Sequence, residues 1–72
     1  MNIQEIRNQL PIGAVKVIVQ RSGINYATVQ RFFRGEKTKE NISLMRVTAQ
    51  YLKEHKKAES EAIQELQEVA SA

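Results

Sequence analysis

The residues best suited to bind another molecule lie in one short stretch of the chain, between Ser22 and Gly35. Arg31 carries a planar guanidinium that can donate two hydrogen bonds to a guanine or pair with a phosphate. Gln30 can bond to adenine in a similar two-point manner. Ala27 offers only an apolar contact, for instance with a thymine methyl group. Together these side chains have the chemistry of a surface that binds a polyanion and can distinguish its bases.

The apolar residues of this stretch predict a helix that presents those side chains to solvent. Val29 and Phe32 are three residues apart, so they share the inward face. Asn25 is a good N-cap for this helix, and Gly35 suits the C′ position after its last turn. The outer face then carries Tyr26, Ala27, Gln30, Arg31 and Arg34.

A second helix is predicted before this one, joined to it by a tight turn. Gly23 can take the positive φ that such a turn requires, and Ile24 follows it as a buried residue. The β-branched residues of segment 12–22 favour a strand. Pro11 and Gly23 nevertheless bracket a helix-length segment, and we expect a helix from about Ile12 to Ser22. Its predicted inward residues are Ala14, Val17, Ile18 and Val19.

The rest of the chain completes an all-α prediction of four to five helices. A first helix is expected over 2–9, and 36–40 is expected to be a loop. A further helix begins near Asn41, and its apolar stripe follows Leu44, Thr48, Tyr51 and His55. The spacing continues, close to a heptad repeat, through Ala58, Ala62, Leu66 and Val69. Whether residues 40–72 form one helix or two with a bend near 56–58 stays open.

Charge divides the chain into two parts. The whole chain has a formal net charge of +3. Residues 1–57 hold all eleven Lys and Arg against four Glu, a balance of +7, whereas residues 58–72 hold four Glu and no base, a balance of −4. We therefore expect a basic domain over 1–57 with a polyanionic partner, and an acidic amphipathic helix over 58–72 with another task.

Composition argues against several classes of function. The chain has no cysteine and one histidine, His55, so disulfides, thiol catalysis and a Cys- or His-rich metal site are not expected. Nucleophile–base pairs and phosphate-cradling glycine loops are not visible, so we expect no enzyme, no catalytic residues, no cofactor and no small-molecule ligand. No apolar run approaches the roughly 18 residues of a membrane span. We expect no membrane partner and a cytoplasmic, nucleoid-associated location.

The stretch resembles the helix-turn-helix domains of phage repressors, of Cro-type (Xre-like) regulators and of the lac-repressor class. Segment 23–29 is similar to the Gly-Val-Ser-Tyr-x-Thr-Val of lac-repressor-type domains, and segment 32–35 to the hydrophobic-pair-x-Gly ending of phage repressors. The resemblance covers roughly residues 11–52. The chain departs from the pattern at Val19, where the family prefers alanine, and at Ser22, where it often has an apolar residue.

The resemblance implies sequence-specific binding of double-stranded DNA by a small dimeric transcriptional regulator of bacterial or phage type. The base-reading positions of the family match Tyr26, Ala27 and Arg31, and Gln30 lies beside them. Phosphate contacts are expected from Lys16, Arg21, Thr28, Arg34, Lys37 and Lys39. Self-association as a homodimer is expected through Ala58, Ala62, Leu66 and Val69.

Two other functions stay open from the sequence. The acidic helix could hold a separate protein, as in an antitoxin-like interaction module. Alternatively, Phe32 and Phe33 could stack on the bases of a single-stranded RNA, as the exposed aromatics of RNA-binding proteins do. We expect both phenylalanines to lie in the core, and His55 to pack on the apolar stripe.

Overall fold

The computed structural model describes residues 2–71, which form four α-helices and no strand. In chain order these are α1 (Ile3–Gln9), α2 (Ala14–Ser22), α3 (Tyr26–Phe33) and α4 (Asn41–Ser71). The all-α prediction is confirmed.

The start of α2 differs from the prediction. The helix begins at Ala14 and not at Ile12, because Gly13 has φ +83° and ψ 6°, a left-handed conformation that an α-helix cannot contain. The Ala14 amide closes the turn by donating to the Pro11 carbonyl at 3.2 Å. Ile12 is consequently left fully exposed at the outside of the loop between α1 and α2.

The turn between α2 and α3 follows the sequence prediction. Gly23 has φ +70°, and its amide donates to the Val19 carbonyl at 3.0 Å. Asn25 is extended, and its Oδ1 accepts a hydrogen bond from the Thr28 amide at 2.8 Å, which makes it the N-cap of α3. Ser22 stands where helix-turn-helix domains often have an apolar residue. Its hydroxyl accepts a hydrogen bond from the Ile24 amide at 3.2 Å.

The end of α3 is also as predicted. Gly35 has φ +88°, and its amide donates to the Phe32 carbonyl at 3.0 Å. The Glu36 amide donates to the Arg31 carbonyl at 3.0 Å. This pair of bonds is a Schellman motif, which ends a helix by satisfying its last carbonyls.

Five buried side chains form the core where α2, α3 and α4 meet. They are Ile18, Val29, Phe32, Phe33 and Leu44. Val15 and Val19 pack against them from α2. Val17, predicted to point inward, is only half-buried and does not belong to this cluster. The helical period explains this difference. Val15 and Val19 are four residues apart and lie on the same side of Ile18 around the helix, whereas Val17 lies on the opposite side of Ile18.

The long helix α4 extends well beyond this core. It is one helix from Asn41 to Ser71, so the predicted boundary between residues 57 and 58 falls inside it. Its 31 residues span about 46 Å, close to the 51 Å long dimension of the molecule. Every residue from 58 to 71 is exposed, so nothing within residues 2–71 covers the stripe at Ala58, Ala62, Leu66 and Val69.

The left-handed turn at Gly23 gives a first prediction. A Cβ added at Gly23 would meet no heavy atom within 4 Å, so a side chain there costs only backbone strain. Gly23→Val should lower the free energy of unfolding by roughly 1–3 kcal/mol, because a β-branched residue resists positive φ. Gly23→Asn should cost clearly less, because asparagine tolerates this conformation. Urea denaturation measures both, and equal losses would contradict the assigned role of φ.

Thr48 gives a second prediction. Its side chain is buried, at 3 % exposure, and its hydroxyl has no hydrogen-bond partner among residues 2–71. Thr48→Val removes this unsatisfied group at nearly constant shape and should raise the free energy of unfolding by about 1 kcal/mol. Thr38→Val is the matched control, because the Thr38 hydroxyl donates to Asn41 Oδ1 at 2.6 Å and its loss should be destabilising. A destabilised Thr48→Val variant would show that the hydroxyl is satisfied.

Candidate nucleic-acid interface

The outer face of α3 is a continuous exposed surface of polar and basic side chains. Burial of Val29, Phe32 and Phe33 fixes the rotation of this helix about its axis. Residues on its opposite side therefore point to solvent. The exposed residues are Tyr26, Ala27, Gln30, Arg31 and Arg34, as the sequence predicts. Tyr26 retains 50 % exposure.

A shallow cavity of about 120 Å³ adjoins this face, between α1 and α3. Gln30 of α3 and Arg34, the C-cap of that helix, line it together with Arg7 of α1. A neighbouring cleft of about 460 Å³ brings in Lys16 and Tyr26. No acidic side chain among residues 2–71 lines either one. The surface next to the outer face of α3 is therefore electropositive.

Arg7 is a basic residue of this surface that the sequence prediction did not include. It lies four residues after Ile3, which packs against the core, and so it shares a helical face with Ile3. Arg7 accordingly lines the cavity beside α3. The signal was present in the sequence, but it depends on knowing that α1 packs on α3.

The predicted phosphate-binding residues differ in their exposure and in their ion pairs. Arg34 Nε is 3.1 Å from the Glu36 carboxylate, and both side chains are more than half exposed. Such a surface pair contributes about 0–1 kcal/mol, so a phosphate can replace the glutamate. Lys37 and Lys39 are exposed in the segment after α3, without an ion pair among the described residues.

Thr28 differs from the lysines because it is half-buried. Its backbone amide is already bonded to the Asn25 side chain at 2.8 Å. It contributes to the start of α3 through this bond. Any phosphate contact from Thr28 would have to come from its hydroxyl.

Arg21 is held by contacts with α4. Its guanidinium forms an ion pair with Glu54 and lies over the Tyr51 ring, 4.9 Å from the centroid. The side chain is still 40 % exposed. Both contacts join the C-terminal end of α2 to α4, so the observed role of Arg21 is to connect two helices.

The aromatic and histidine predictions have clear outcomes. Phe32 and Phe33 are buried at 4 % and 1 % exposure, with their rings edge to face at 5.1 Å between centroids and 64° between planes. They do not provide an exposed platform for base stacking. His55 is half-buried, and its Nε2 lies 3.5 Å from the Glu59 carboxylate. This contact joins it to a charged neighbour, and its packing on the stripe stays a prediction.

Comparison with known proteins returned no matching family model, curated protein or solved structure. The resemblance to helix-turn-helix domains therefore stays a prediction that rests on the residues and geometry described above. Across residues 2–71, none of the helices combines the length and the apolar character needed to cross a membrane.

The contacts of Arg21 give a third prediction. Arg21→Ala should lower the free energy of unfolding by about 1 kcal/mol, since it removes a surface ion pair and a cation–π contact. Glu54→Ala should cost less, since it leaves the ring contact intact. If Arg21 acts only between helices, neither variant should change the salt dependence of binding in a titration with duplex DNA. A slope reduced in Arg21→Ala alone would show that Arg21 also contacts phosphate.

Proposed function

We propose that this protein binds double-stranded DNA in a sequence-dependent manner by placing the outer face of α3 in the major groove. The observation that carries the proposal is the exposed row of Tyr26, Gln30 and Arg31 on a helix whose inner face is buried in the core. A regulator of transcription is the function that this interface supports best.

The dimensions of α3 fit this role. The major groove is about 12 Å wide and admits one α-helix, and the eight residues of α3 are about 12 Å long. Ala27 has a small side chain, so it allows the helix to approach the bases closely. Arg31 would bond to guanine O6 and N7, and Gln30 would bond to adenine or to a nearby phosphate.

Basic side chains around α3 would hold the DNA backbone on both sides. Arg7 and Lys16 lie beside the cavities at the α1–α2 side. Lys37 and Lys39 lie in the segment that follows α3. Phosphate contacts of this kind orient a protein on the duplex and provide much of its affinity. Two copies of the chain would bind two half-sites of one operator.

A protein-interaction module is the second candidate function. The observation that favours it is the exposed apolar tail of α4, where Ile63 retains 50 %, Leu66 69 % and Val69 74 % of their surface. Binding of an unrelated protein by the tail would use a different surface from α3. The two functions are therefore separable by experiment.

Selection of bound duplexes from a random pool tests DNA binding, and Arg31→Ala tests the role of α3. The variant should bind the selected duplex more weakly by roughly 1–3 kcal/mol and lose preference at one base pair. Arg46→Ala is the matched control, because it removes the same charge from an exposed position on α4. A pool without a consensus would contradict the proposal. Unchanged binding by Arg31→Ala would exclude Arg31 from base recognition.

Lys37 tests the phosphate contacts separately. Lys37→Ala should weaken binding to the selected duplex and to unrelated duplexes by the same factor. It should also reduce the slope of log K against log salt concentration by about one. Lys57→Ala, at an exposed position of α4, is the control and should leave the slope unchanged. An unchanged slope for Lys37→Ala would show that Lys37 makes no phosphate contact.

A further inference from the structure

Helix α4 carries a second regular seam, distinct from the face that packs in the core. Its positions are separated by alternating steps of four and three residues, the spacing of a coiled-coil interface. We call these residues the α4 seam: Met45, Ala49, Leu52, Lys56, Glu59, Ile63, Leu66 and Ala70.

The α4 seam is uncovered along its length in the single chain. Met45 is 43 % exposed, Ile63 50 % and Leu66 69 %. Leu52 is half-buried, and the remaining members of the seam are exposed. The core of the domain uses a neighbouring face of the same helix, through Leu44 and Thr48. The seam is therefore free to contact a second molecule while the core stays intact.

The seam is self-complementary when two copies run antiparallel. With the two-fold axis between Lys57 and Ala58, each apolar residue of one copy faces an apolar residue of the other. The facing pairs are Met45 with the partner's Ala70, Ala49 with the partner's Leu66, and Leu52 with the partner's Ile63. The fourth pair is Lys56 with the partner's Glu59, so the only charges on the seam face opposite charges.

We propose that the chain forms a homodimer by antiparallel pairing of the α4 seams, with two symmetric Lys56–Glu59 ion pairs at its centre. The paired seam spans 25 residue steps, about 38 Å. Each Glu59 also lies 3.5 Å from His55 of its own helix. A carboxylate has two oxygens that accept several hydrogen bonds, so it can serve both partners.

The charges on the seam select this arrangement over its competitors. A parallel pair would place Lys56 against Lys56 and Glu59 against Glu59. An antiparallel pair shifted by one heptad would place Lys56 against Leu66 or against Leu52. Each alternative buries a charge beside a like charge or an apolar side chain, which is unfavourable. Only the central register pairs every residue of the seam with a compatible one.

An apolar groove on the body of the domain supports the same pairing. The groove has a volume of about 260 Å³ and lies along the first half of the seam, between α1 and α4. Its lining residues are Ile3, Ile6, Phe32, Met45, Thr48, Ala49 and Leu52. The partner's Leu66 lies opposite Ala49 in this register, and the partner's Val69 flanks it on the Thr48 side. The tail of each copy would therefore cover the groove of the other.

This dimer goes beyond the proposed DNA binding and does not depend on it, because α3 takes no part in the seam. The two domains would lie about 30 Å apart along the helix axis, estimated from the helical rise between their centres. That separation is of the same order as one turn of B-DNA. The dimer is measured on the protein alone, without DNA, so failure of either proposal leaves the other intact.

Exchange of the central charges tests the dimer in sedimentation experiments on the full chain. Lys56→Glu and Glu59→Lys should each raise the dimer dissociation constant more than about tenfold, because each places like charges opposite each other twice. The double variant should return to within about threefold of the parent, because it restores both pairs. Lys57→Glu makes the same charge change one position away, off the seam, and should dimerise like the parent. Circular dichroism confirms that each variant remains helical.

Cysteine crosslinking tests the direction and register, since the chain has no native cysteine. Leu52→Cys combined with Ile63→Cys should give a covalent dimer on oxidation, whereas Leu52→Cys alone should not. Crosslinking by Leu52→Cys alone would indicate parallel helices and overturn the proposal. The proposal is also overturned by a parent chain that is monomeric at about 100 times the concentration used for DNA binding, by a trimer or tetramer, or by a double charge exchange that does not restore the dimer.

Discussion

Burial of the inner face of α3 is the constraint on which the rest of the molecule depends. Val29 and Phe33 are almost completely removed from solvent, against Ile18 of α2 and Leu44 of α4. Three helices thus meet over a few side chains, and a core of this size supplies only a few kcal/mol of net stability. The same contacts fix which side of α3 points outward. The candidate DNA-binding surface is therefore a direct consequence of the core.

The two halves of the long helix α4 differ in role and in charge. Its first half completes the core through Leu44 and Thr48. Its second half leaves the domain, so that the acidic residues of 58–71 project away from the core. An acidic tail folded onto the basic outer face of α3 would compete with a polyanion for that face. The extended helix avoids this competition and exposes the α4 seam to a second copy.

Local signals in the sequence predicted the parts of the fold that depend on local physics. Gly23, Asn25 and Gly35 each act through their own backbone conformation or through a hydrogen bond to a residue within a few positions. The outer face of α3 followed from the helical period. The predicted start of α2 was wrong because Gly13 adopts a left-handed conformation. The pattern of apolar residues does not encode that conformation.

Contacts between distant parts of the chain could not be predicted in the same way. Arg21 pairs with Glu54, 33 residues later, and a local pattern cannot choose that partner over a phosphate. The place of Arg7 beside α3 depends on how α1 packs. The stripe expected from the sequence to mediate self-association, Ala58, Ala62, Leu66 and Val69, shares only Leu66 with the α4 seam. Lys56 and Glu59 gain meaning only when α4 is one continuous helix.

Contact between the outer face of α3 and duplex DNA is tested most directly by NMR mapping during a titration with the selected duplex. Large shifts are expected for the amides of 26–31, for the Gln30 side-chain amide and for the Arg31 guanidinium. Resonances of 59–70 should move little, because the α4 seam is not a DNA contact. Large shifts confined to α4, with the resonances of α3 unchanged, would show that α3 does not contact the duplex.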